Sequence, residues 1–173
     1  QTILFFWVNL LALTGIYAQS EAHLFSTEEL RSDFNFLRQK LETQHPSLYN
    51  LTPKPAMDAF LDSLFQQINE PATETNFYNL IASLHEKIGD GHTMFLPKAA
   101  YSPGDSTRYF PFYVDVKGDR MFIAMNCSSD TAIAAGDEIL GINGLAAPEL
   151  LRFLMARQIR DGVNTSYSQW ILD

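Results

Sequence analysis

The sequence predicts an α+β fold, and three observations carry that expectation. Apolar residues recur on a helical period as far as residue 88. Beyond residue 92 they shift to short alternating runs broken by Gly, Pro and Asn. One amphipathic run, from about Pro148 to Arg160, then returns to the helical period inside the β-rich part. The expected order is a three-helix block followed by a small β-rich domain with one late helix.

The first helix should start at Ser26, because Ser26-Thr27-Glu28-Glu29 has the S-x-x-E form of a capping box. Leu30, Phe34, Leu37 and Leu41 then form one stripe. His45-Pro46 should end it, since the residue before proline avoids helical backbone. Met57, Phe60, Leu61, Leu64, Phe65 and Ile68 make a second stripe, closed by Pro71. Thr73 can cap a third helix with the face Phe77, Leu80, Ile81, Leu84 and Ile88, and Gly89 falls where a left-handed C-terminal cap belongs.

In the second half, HTMFL and YFPFYVDV read as strands, separated by the loop PKAAYSPGDSTR. Lys117-Gly118-Asp119-Arg120 is a turn leading into the strand MFIAMNC. SSDTAIAAGD is a loop, EILGI a strand and Asn143-Gly144 a tight turn. Pro148 suits the first turn of the late helix, and TSYSQWILD reads as the start of another.

The first 18 residues carry no charge and end in Ile16-Tyr17-Ala18, which resembles a secretory signal peptide cleaved after Ala18. The run is interrupted by Asn9 and Thr14 and is shorter than a membrane span requires. The expectation is an exported protein, periplasmic or extracellular, with no stable membrane span after cleavage. With neither an initiator Met nor a positive n-region, the given sequence is expected to begin inside its precursor. A net charge of -8 with scattered Lys and Arg argues against nucleic acid as a partner. Cys127, the single cysteine, excludes an internal disulfide and reads as a small buried apolar residue.

The string most specific to a fold is AGDEILGING, residues 135–144. It resembles the strand and turn of a PDZ-like domain, in which a following helix lies beside a groove that accepts an extended peptide. IGDGHTMF, residues 88–95, precedes it, and LETQHPSLYNLT, residues 41–52, follows the first helix. Together these strings resemble the N-terminal half of S41 serine peptidases, the C-terminal processing peptidase and tricorn core group, over about residues 25–165.

That resemblance implies a signal peptide (1–18), a helical domain ending in the GDGHT strand (19–97), a linker loop (98–110) and a PDZ-like domain (111–173). The catalytic αβ domain with its nucleophilic serine would lie downstream of Asp173. The expected function is thus the N-terminal and PDZ-like part of a secreted serine endopeptidase acting on peptide or unfolded protein, inactive by itself. The alternative is a non-catalytic, secreted PDZ-like module that binds peptides.

His92 matches the histidine that tricorn-type members place before their PDZ-like unit, which implies a general base for a serine downstream; Asp90, two residues earlier, is the acid that the local sequence offers to orient it. Read from the residues alone, His92 is either such a base or simply the first residue after a turn. His85 sits at the edge of an apolar face and reads as a satisfied core residue; His45 reads as a helix end, and His23 as part of an N-terminal segment. Four histidines so spaced, with one cysteine, give no metal-ligand pattern and no cofactor is expected. Ser166 and Ser168 read as loop or cap residues, and Asp58 and Asp62 as the solvent side of a helix.

Overall fold

Helix α1 (Thr27–Gln44) starts where Ser26 closes a capping box. In the computed structural model, which describes residues 23–96 and 109–172, the Ser26 hydroxyl accepts from the Glu29 N–H at 3.2 Å. Glu29 Oε2 in turn accepts from the Ser26 N–H at 2.8 Å. The helix stops at His45, whose extended backbone is what Pro46 demands. The expected leader (1–18) and residues 98–108 of the expected linker lie outside the described residues.

Helix α2 (Lys54–Gln67) follows, with Pro55 in its first turn. Its Met57, Leu61 and Leu64 meet Leu30, Phe34 and Leu41 of α1, and Leu48 and Ile68 complete the contact. Full burial of each such side chain is worth about 1.5–3 kcal/mol. Two short strands, β1 (Leu24–Phe25) and β2 (Ala72–Thr73), pair antiparallel and tie the start of α1 to the segment that follows α2.

The third helix departs from the single element expected. It forms as α3 (Glu74–Ile81), capped by the Thr73 hydroxyl, and α4 (Leu84–Ile88), separated by Ala82 and Ser83. The Ser83 hydroxyl donates to the Leu80 carbonyl at 2.7 Å, the acceptor that the Leu84 N–H would use in a continuous helix. Leu84 and Ile88 nonetheless reach the same core. Gly89 ends α4 in the left-handed region, φ 62° and ψ 39°, and its N–H donates to the His85 carbonyl.

The strand expected from His92 does not form, and residues 91–96 are turn and irregular backbone. Their donors go elsewhere: the His92 N–H to the Asp90 carboxylate and the Phe95 N–H to His85 Nε2.

In the second half, β3 (Phe112–Lys117) and β4 (Arg120–Asn126) form the expected hairpin around Gly118-Asp119. Ala124 is the extra residue of a bulge, since Tyr113 pairs with Met125 but Val114 with Ile123. The single strand expected over EILGI is divided. β5 (Glu138–Ile139) pairs with β4, while β6 (Gly141–Ile142) pairs with β7 (Leu145–Ala146) across Asn143-Gly144, both at positive φ. Leu140 stands exposed between the two sheets.

Helix α5 (Ala147–Met155) has Pro148 in its first turn and ends at Met155 rather than at Arg160. Arg157 Nη1 takes the Phe153 carbonyl and Arg160 Nη2 the Met155 carbonyl, so side chains satisfy the terminal acceptors. Helix α6 (Ser166–Leu172) follows. Val114, Val116, Met121, Ala147 and Leu151 form a second buried cluster. The chain is therefore α+β, with antiparallel sheets. Cys127 is exposed rather than buried, because it follows the last residue of β4, where the chain leaves the sheet.

Candidate functional site

The turn after α4 displays His92. Gly89 reverses the chain, and the Thr93 N–H closes a turn onto the Asp90 carbonyl at 3.2 Å. Asp90 Oδ1 accepts from the His92 N–H at 2.9 Å, an Asx-type turn in which the carboxylate holds the backbone two residues on. Because the backbone of His92 is held while its ring is not packed, the imidazole projects outward, with its side chain 96% exposed. Its Nδ1 lies 3.6 Å from Asp90 Oδ1, beyond hydrogen-bonding distance.

The other oxygen of Asp90 is held from the far side. Thr93 Oγ1 donates to Asp90 Oδ2 at 3.1 Å, and His45 Nε2 lies 3.2 Å from the same oxygen and 2.9 Å from Thr93 Oγ1. The His45 ring is buried, and its Nδ1 accepts from the Ser47 N–H at 3.2 Å. The backbone hydrogen bond from His92 leads the causes that hold the Asp90 carboxyl below its usual range, joined by the Thr93 hydroxyl and by the two histidines.

On the opposite side, the segment after α5 docks on this turn. Asp161 Oδ1 accepts from the Gly91 N–H at 3.2 Å, and the Gly162 N–H donates to the Gly89 carbonyl at 2.9 Å. A cleft of about 530 Å³ opens there between His92, Gly91 and Met94 on one wall and Ile159, Arg160, Asp161, Asn164 and Tyr167 on the other. No hydroxyl or thiol among the described residues hydrogen-bonds the His92 ring, so the arrangement presents an exposed imidazole with no nucleophile beside it.

His85 is buried, as its place beside the apolar face of α3 and α4 suggests, and both ring nitrogens are used. Nδ1 donates to the Arg157 carbonyl at 2.9 Å, which leaves Nε2 to accept from the Phe95 N–H at 3.2 Å. Phe95 stacks on the ring at 4.8 Å. Ser168 is not a loop residue but lies fully buried in α6, with its hydroxyl on the Ile159 carbonyl. Asp58 and Asp62 sit in surface ion pairs with Lys54 and Arg38. His23 packs edge-on to Phe25.

The residues that reading along the chain missed at this site are His45 and Asp161. His45 shows as a helix end, and nothing within a few residues of Asp161 points to Gly91. Only the pairing of segments 45 and 70 residues apart reveals them.

Comparison with protein-family models, with curated proteins and with solved structures finds no match to this chain. Among the described residues no helix is long and apolar enough to cross a membrane, and no group of three or more His, Cys, Asp or Glu could hold a metal ion.

Proposed function

We propose that this chain is the N-terminal helical part and PDZ-like part of an exported S41-type serine endopeptidase, with His92 as general base. The observation that supports this most directly is the pair His92 and Asp90. An exposed imidazole on a hydrogen-bonded turn has a carboxylate 3.6 Å from Nδ1, so Nε2 is left to face a nucleophile. A base of this kind needs a third group to orient it, and the nearness of the Asp90 carboxylate, which holds the His92 backbone rather than its ring, supports that reading. The nucleophilic serine and the oxyanion donors would come from a following domain.

The order of motifs adds support, since the Gly-His-Thr turn comes before the hairpin and helix that resemble a PDZ-like unit. Beside α5 lies an apolar cleft of about 310 Å³, lined by Val114, Met121, Ile142, Leu150, Leu151 and Leu154 among others. An extended peptide could lay apolar side chains there. The same cleft favours the second reading, a secreted module that binds peptide ends without hydrolysing them. The outer edge of β3 is already engaged at Val116, whose carbonyl accepts from Gln169 Nε2 at 3.1 Å.

The test is cleavage of an unstructured protein by the protein extended past Asp173, with His92→Ala beside the wild type and folding checked by circular dichroism. Loss of turnover by at least about 10²-fold in a folded His92→Ala variant supports the base. Equal cleavage by both removes His92 from the mechanism. Absence of cleavage by the wild type favours the binding module.

A further inference from the structure

We infer that His45 is a positioning residue for His92, acting through Asp90. The two strings that stand apart in the sequence, HPSLY at residues 45–49 and GDGHT at 89–93, meet in space at one carboxylate. This rests on the reading of His92 as a base, and it adds a role for a histidine that otherwise only ends a helix.

The geometry settles where the protons of this network lie. The Ser47 N–H points at His45 Nδ1, so that nitrogen is the acceptor and the ring proton sits on Nε2. Nε2–H is then a donor facing Asp90 Oδ2 at 3.2 Å and Thr93 Oγ1 at 2.9 Å. The Thr93 hydroxyl donates to the same Oδ2 at 3.1 Å. With Oδ2 tied to groups on two separate segments, the plane of the carboxylate cannot turn, and Oδ1 stays with the His92 N–H and beside His92 Nδ1.

The burial pattern assigns the parts. The His45 side chain is 8% exposed and that of Asp90 26%, against 96% for His92. The anchor is fixed in packed protein, the carboxylate lies at the boundary, and the ring that would work faces open space. Local sequence supplies only half of the arrangement, because Asp90, His92 and Thr93 belong to one turn. Without His45 the carboxylate keeps one side-chain hydrogen-bond partner, Thr93, which belongs to the same turn.

The test compares His45→Phe, which keeps a ring of similar size and removes both nitrogens, with His45→Gln, which returns an N–H near the place of Nε2. In this chain, amide hydrogen exchange of His92 reads the state of Asp90 directly. His45→Phe should lower His92 amide protection about tenfold, the scale of one hydrogen bond to a charged group. His45→Gln should restore it to within about threefold. In the extended protein His45→Phe should lower kcat with KM unchanged, again recovered by His45→Gln.

Unchanged His92 protection in a folded His45→Phe variant overturns the inference. So does a loss of protection spread evenly over the helical core, which would show a residue that only stabilises the fold. The exchange measurement needs no peptidase activity, so the positioning role and the peptidase reading can fail separately.

Discussion

His85 Nδ1 donates to the carbonyl of Arg157 at 2.9 Å, across 72 residues of sequence. The bond joins α4 to the segment that follows α5, and it is not alone. Arg157 Nε reaches back to the Asn79 carbonyl at 3.0 Å, and Arg160 Nη1 lies 3.6 Å from Glu86. The turn carrying His92 is itself tied to that segment by the Asp161–Gly91 hydrogen bond. The position of the candidate base therefore depends on how the segment after α5 docks.

Replacing His85 by Leu should destabilise the protein strongly. It leaves the Arg157 carbonyl and the Phe95 N–H without the partners they have in the folded state, at about 1–3 kcal/mol for each group kept from water. His85→Asn, which returns a donor near the place of Nδ1, should recover part of the loss. Urea unfolding of the three proteins measures both effects.

Stability should fall with pH on two accounts. Burial pushes the His85 imidazole below its usual range, against the pull of the Arg157 carbonyl. The unfolded chain then takes up a proton near pH 6.5 while the folded chain resists, so stability declines as pH drops below about 6.5. The decline ends once pH passes below the folded value. Asp90 and Glu29 work in the acid window: hydrogen bonds hold both carboxyls below their usual range. What they contribute is present above about pH 4 and is lost as pH falls through their folded values. Chemical denaturation across pH should show both limbs, and His85→Leu should remove its part of the upper one.

Gly89→Ala should cost about 1–2 kcal/mol, because Gly89 lies at φ 62° and a side chain there is strained. A Cβ would also overlap the side chain of Leu51. The substitution acts on the turn that presents Asp90 and His92, so amide exchange at residues 90–93 should rise more than exchange in α1. A uniform change across the chain would count against that local effect.

Local chemistry was legible wherever it closes within a few residues. The Ser26–Glu29 box, the stripes of α1 and α2, the left-handed Gly89 and the Asn143-Gly144 turn all follow from side chains acting on their own backbone or on neighbours one turn away. Two of the departures arise where a side chain competes for a backbone group. Ser83 takes the Leu80 carbonyl and breaks the third helix, and Asp90 and His85 take the amides of His92 and Phe95 and prevent a strand.

The sequence by itself determined the α+β order, the caps and turns, and the presence of a histidine just after a glycine-flanked aspartate. Only the tertiary structure decided that His45 holds that aspartate and that Asp161 closes the turn from the other side. Periodicity and capping are short-range consequences of backbone geometry, repeated at every turn of helix. A hydrogen bond between residues 45 or 70 positions apart has no local signature, because it exists only after two hydrophobic faces have packed and brought the donors to their acceptors.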